Sequence, residues 1–171
     1  PKARLFVLSR FISAENRKIA KKNGIEIVDL DLSDTFYREY EYPAECYYIF
    51  AGPELFYKMG FEYSVYVDGD ILCGSNPLLE QVPCVAGVTA NTYRDILGKD
   101  LVALSTRLRS ESRLDAKRLS SCVVYFNNKS VSKKHLLKKA TDAFDYCIQN
   151  MVPRKGDDSL FALLQLLLFD S

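Results

Sequence analysis

The 171-residue sequence has one histidine, His135, no C-x-x-C pair among its five cysteines, and no excess of either charge. Each absence closes a class of function. Ser-His-Asp and Cys-His mechanisms need an oriented imidazole in a cleft. His135 instead shares a lysine-rich helix face with Lys134, Lys138, Lys139 and Asp142, and reads as a solvated surface residue. Cys46, Cys73, Cys84, Cys122 and Cys147 are odd in number and scattered, which argues against a zinc site or a disulfide framework. Free thiols fit a reducing compartment, so a cytoplasmic protein is expected. A formal net charge of +1 gives no general case for nucleic acid or a membrane surface as partner. The one long apolar run, Leu160 to Phe169, contains Gln165 and is too short to span a bilayer. No signal-peptide pattern, internal repeat or low-complexity segment is visible. The sequence opens without Met and stops on Asp170-Ser171 directly after that run, so the expectation is one domain over residues 1–171, cut short at its C-terminal end.

Apolar content of 48% and charged content of 26% are ordinary for a globular chain with one core. The stretch that organises it is Tyr63-Ser64-Val65-Tyr66-Val67 followed by Asp68-Gly69-Asp70. The β-branched and aromatic run predicts a strand buried on both faces. Ligands of open α/β sheets bind beside the carboxyl ends of strands, where Asp68 and Asp70 fall. Two carboxylates so close call for a divalent cation, Mg²⁺ or Mn²⁺, whose shell is completed by water and substrate phosphates. The rival reading is a type I′ hairpin with Asp68-Gly69 at its corner and no chemistry.

Leu5 to Leu8 predicts a first buried strand ending in Ser9-Arg10, and Ser13 caps a helix with Ile12, Ile19 and Ala20 inward that closes at Gly24. Ile25 to Leu30 is a second strand, and this β-α-β order predicts a parallel pair. Gly52-Pro53 reads as a helix start. Strands are expected at Cys84–Thr89 and Ser121–Phe126, with partial helical spacing from Asp95 to Leu108. The basic stretch Lys99 to Arg118 reads otherwise as a charged loop. Leu136/Leu137, Ala140, Ala143/Phe144, Cys147/Ile148 and Met151 recur with helical period, with Ser130 or Ser132 as cap. Asp157-Asp158 opens a last, almost wholly apolar helix. Both acids can serve its N-terminus, and one can face a cleft and hold sugar hydroxyls. Ser120-Ser121 reads as a loop-to-strand transition. The sum is a three-layer α/β domain with a mostly parallel sheet.

The strand running into Tyr66-Val67-Asp68-Gly69-Asp70-Ile71-Leu72, with Asn76-Pro77-Leu78 after it, resembles the D-x-D region of GT-A-fold glycosyltransferases. It is most similar to family 8, the glycogenin and galactosyltransferase group, and within it to small virally encoded domains. Phe6 to Arg10 resembles that family's nucleotide-holding first strand and loop. Leu119 to Tyr125 falls where the family has F-N-x-G, and Gly156-Asp157-Asp158 where it has G-D-Q. The resemblance implies a single catalytic domain of Rossmann-like GT-A fold. It implies a retaining, metal-dependent transfer of a hexose from a nucleotide-diphosphate sugar, UDP-hexose expected, to a glycan or glycoprotein acceptor.

On that resemblance Asp68 and Asp70 hold Mn²⁺ or Mg²⁺, and Leu8, Ser9, Arg10, Gly52, Asp68 and Gly69 line the nucleotide. Ser120, Ser121, Asp157 and Asp158 meet the sugar, and the last two are the catalytic candidates. The locale becomes a host cytoplasm if the chain is viral. Two departures stand out: Ser120 and Cys122 replace Asn and Gly of the sugar-contacting strand, and the family's late histidine ligand has no counterpart. The alternatives are a haloacid-dehalogenase-type Mg²⁺ phosphatase, which also uses D-x-D, and a nucleotide-sugar-binding module without turnover.

Overall fold

The structure is a computed structural model that describes residues 3–36, 42–69, 84–106, 113–152 and 156–169. It is a mixed α/β protein of two compact units, Pro1–Tyr48 and Ile49–Ser171. In the first unit β1 (Leu5–Ser9) and β2 (Ile25–Asp29) form a parallel pair, Leu5 opposite Ile25 and Ser9 opposite Asp29. Between them runs α1 (Ala14–Lys22), whose N-cap Ser13 accepts from the Asn16 N–H and whose end is followed by Gly24 at φ 69°. The expected β-α-β unit is there, but β1 is not the buried strand expected, since Leu5 and Val7 are exposed, and α1 needs correcting too. Ile12 and Ala20 are half-buried, but Ile19 is exposed, and α1 buries no residue fully. A 9-residue helix carrying four Lys/Arg has too few apolar side chains to cover both strands. A short α2 (Ser33–Phe36) and a 3₁₀ turn (Ala44–Tyr47) close the unit, Phe36 and Tyr47 stacking at 4.3 Å.

The second unit takes up at α3 (Tyr48–Lys58), which starts a turn before the Pro53 expected to open it. Pro53 sits inside, where it removes one helical hydrogen bond. Then come β3 (Tyr63–Val67), β4 (Val85–Thr92), α4 (Tyr93–Thr106) and β5 (Lys117–Asn127). The three strands order β3-β5-β4, with β5 antiparallel to both neighbours. Among the described residues parallel pairing is thus confined to β1–β2, and the sheet around Asp68 is antiparallel. Apolar runs signal burial but not direction, which the connections decide. Tyr63 to Tyr66 are half-buried and Val67 is exposed, so β3, an edge strand of this sheet, is not buried on both faces.

The core of this unit gathers Phe50, Leu97, Phe126, Leu136, Phe144, Leu160, Phe161 and Leu163, with Phe50 and Phe161 tilted at 6.3 Å. Asn127 caps a short α5 (Asn128–Ser132), so Ser130 and Ser132 do not cap the long helix. That helix, α6 (Leu136–Gln149), buries Leu136, Ala140, Phe144 and Cys147 along the stripe read from the sequence, but Met151 falls past its end and is exposed. His135 is exposed as expected, but it occupies the turn before α6 rather than its face, with φ 53°. An L-residue there carries about 1–2 kcal/mol of strain, relieved by glycine and partly offset by glycine's freer unfolded chain. His135→Gly should raise stability by roughly 0.5–1 kcal/mol in urea denaturation. The last helix, α7 (Gly156–Leu164), continues into a π-helical turn over Gln165–Phe169 and is buried as its composition requires. Among the described residues no helix is long and apolar enough to cross a membrane.

Candidate functional site

β5 runs six residues beyond Val123, its last register partner in β3. This overhang, Lys117 to Ser121, lies against α7. Asp158 in the first turn of α7 receives two hydrogen bonds from the Arg118 guanidinium, at 3.0 and 3.1 Å, and a third from the Ser121 hydroxyl at 2.8 Å. The Arg118 guanidinium also donates to the Leu119 carbonyl at 3.0 Å. One turn-pair later, Gln165 accepts from the Leu119 N–H at 2.8 Å and donates to the Leu119 carbonyl at 2.9 Å. Residues seven apart share a helix face, so α7 grips the overhang at both ends of one stripe.

Arg118 is 3% exposed. A buried charge persists only when paired and hydrogen-bonded, and Asp158 supplies both. Local sequence places Arg118 in a charged loop, where the structure instead has it in β5. The sole available signal was its position three residues before Ser121, at the head of an apolar strand. Nothing local announced its partner forty residues on.

The other end of the site is Asp68, just past β3. Its N–H donates to the Cys122 carbonyl at 2.9 Å, extending the β3–β5 ladder by one rung and bringing its carboxylate to the Cys122 thiol. Cys122 is a half-buried thiol whose N–H donates to the Ser120 hydroxyl. The Ser120 hydrogen bond lowers its pKa, but burial and the carboxylates of Asp68 and Asp158 outweigh it, so the thiol is held protonated. Asp157 is half-buried beside the same acids. Burial pushes its pKa up to about 6. A Ser121 hydrogen bond opposes this, while the nearby charges of Asp158 and Asp68 add to it and its own backbone N–H draws it down.

The structure therefore brings Asp68, Ser120, Ser121, Cys122, Asp157 and Asp158 to one end of the β3–β5 pair, and adds Arg118. The two adjacent acids are not equivalent. Asp158 is bound up with Arg118 and Ser121, so it is more than a helix cap, whereas Asp157 has no ion-pair partner among the described residues. Gly52 is buried within α3, and Gly69 is exposed in the turn after Asp68. Asp70, the second expected metal ligand, lies outside the described residues, as do Cys73 and the Asn76-Pro77 turn. Leu8, Ser9 and Arg10 belong to the first unit. They are half-buried there, and Arg10 pairs with Glu45 at 3.3 Å and stacks on Phe11.

Among the described residues no three His, Cys, Asp or Glu side chains form a metal-holding group. The donor chemistry fits a hard cation nonetheless. Asp68 and Asp157 offer oxygens, and no described cation neutralises either one. No family model, curated protein or solved structure matches this chain.

Proposed function

We propose that this protein is a metal-dependent hexosyltransferase that takes its sugar from a nucleotide diphosphate, UDP-hexose first, on a GT-A plan, with retention at the anomeric carbon. The observation that supports it is the convergence of Asp68, at the carboxyl end of β3, with the Asp157–Asp158 pair opening α7. An acid at the end of a strand and a second acid at a helix N-terminus, near enough for their charges to interact, suit a ligand that brings both a cation and hydroxyl groups. When bound by Asp68 with Asp70, Mn²⁺ or Mg²⁺ would supply Lewis-acid stabilisation of the diphosphate leaving group.

The chain's own residues do the rest. The Asp68 backbone is held by its bond to Cys122, so its side chain is anchored beside β5. Ser120 and Ser121 fall on opposite faces of β5, and the buried Ser121 hydroxyl braces Asp158. Asp157, raised to about 6 but still mainly ionised near pH 7, accepts from a sugar hydroxyl and places negative charge beside a centre that becomes cationic. The glycan or glycoprotein acceptor enters above these residues. The phosphatase alternative places D-x-D after its first strand, whereas Asp68 follows the third strand of this chain.

A thermal-shift series with UDP and UDP-hexoses, with and without Mn²⁺, tests the reading, because ligands that bind the native state raise the melting temperature. Asp68→Asn keeps the backbone bond to Cys122 and nearly the same shape. It should fold as the parent does and lose the Mn²⁺-dependent part of the UDP shift. An undiminished shift in Asp68→Asn would return Asp68-Gly69 to an ordinary turn.

A further inference from the structure

The geometry points to Arg118 as a positioning residue for this site, one that acts on the sugar through α7 rather than by contact. The inference rests on the transferase reading above. Two independent features carry it.

The first is the asymmetry of the acid pair. Asp158 gives one oxygen to Arg118 Nη1 and Ser121 Oγ, and the other to Arg118 Nη2. The fork-to-carboxylate fit fixes direction as well as distance, which a lysine ammonium cannot do. Asp157, one residue earlier, has no cation of its own among the described residues and takes its place from the backbone that Asp158 anchors.

The second is how the anchor is built. The backbone enters α7 through Gly156 at φ 54°, a conformation with little intrinsic stiffness in glycine. The helix is then pinned to the β5 overhang at Asp158 and again at Gln165, where it widens into a π-helical turn. π-turns are uncommon and gather at functional sites. The overhang carries Ser120 and Ser121 as well, so one clamp sets Asp157 and both hydroxyls in a common frame. A displacement of about 1 Å in such a frame is enough to cost a large part of the rate. Arg118 also neutralises one of the three described carboxylates, leaving two negative charges, on Asp68 and Asp157, to meet a dication.

The test compares Arg118→Lys, Asp158→Asn and the two together, on the UDP-sugar that the parent turns over, with Mn²⁺. Arg118→Lys keeps the charge and loses the fork. Its kcat should fall at least tenfold, with KM, UDP–Mn²⁺ affinity and melting temperature close to the parent's. Asp158→Asn should lose a similar factor in kcat. The double variant should be no slower than the worse single one, since both changes undo the same clamp. Guarding against a misfolded Arg118→Lys is the neutral pair Arg118→Gln with Asp158→Asn, which removes both charges and should fold yet turn over slowly. A kcat within twofold of the parent in Arg118→Lys or in the neutral pair would overturn the inference, as would losses that multiply in the double variant. A parent that turns over no UDP-sugar would remove the transferase reading and this inference with it. A working parent with an indifferent Arg118 removes only the inference.

Discussion

Asp157→Asn is expected to be more stable than the parent near pH 7, by about 1–2 kcal/mol, and to have lost most of its turnover. The stability half follows from linkage. The carboxyl titrates at about 6 in the folded protein and near 4 in an unfolded chain. Between those values the folded state holds the proton that the unfolded state has released, so stability falls as pH rises through the window. Above it the ionised carboxylate is a standing cost of roughly 3 kcal/mol at full weight, about halved for a half-buried group that water screens. Asn carries no such cost. Urea titrations near pH 7 should favour Asp157→Asn, and the advantage should shrink to nothing by about pH 4. Equal stability of the two proteins at both pH values would mean the carboxylate is well solvated or already paired. Turnover falls because an amide cannot supply the negative charge, whereas binding of UDP with Mn²⁺ stays close to the parent's.

The second large effect is the loss of Arg118. Arg118→Met leaves Asp158 and the Ser121 hydroxyl facing a hydrocarbon side chain, with one carboxylate oxygen stripped of its only described donor. Breaking one half of a buried ion pair costs about 3–5 kcal/mol. Asp158 keeps a third of its side chain exposed, which places the expected loss nearer 2–3 kcal/mol. Adding Asp158→Asn to Arg118→Met should recover part of that loss, because the orphaned charge is gone. Denaturation midpoints of the two single variants and the pair decide it. A pair that is less stable than Arg118→Met alone would show that Asp158 has a stabilising partner other than Arg118.

The elements that announced themselves in the sequence did so through local pattern. Tyr63 to Val67 is a strand because its composition allows little else, and α6 follows a 3.6-residue stripe from Leu136 to Cys147. Ser13 and Gly24 bracket α1 by chemistry confined to a few residues. What escaped depends on partners far along the chain. The antiparallel sense of β3 and β5 is set by how nearly fifty intervening residues return, and no run of Val and Tyr encodes it. Arg118 stood in a stretch rich in Lys and Arg, where one guanidinium looks like the next. Only pairing with Asp158, across the β5–α7 contact, separates it from its solvated neighbours. The unequal roles of Asp157 and Asp158 were illegible for the same reason. Adjacent acids at a helix start look alike until one of them is claimed.

Leu119, opposite Thr89 of β4, has its N–H and carbonyl bonded to the Gln165 amide, and its carbonyl also accepts from Arg118. Its amide proton therefore exchanges with solvent when α7 lifts and the bond to Gln165 breaks. Exchange rates along β5 should fall into two populations, with Val123 to Phe126 reporting the opening of the sheet and Leu119 reporting the undocking of the helix. The protein thus carries a built-in gauge of whether its two acids are seated, readable one residue at a time and without a substrate.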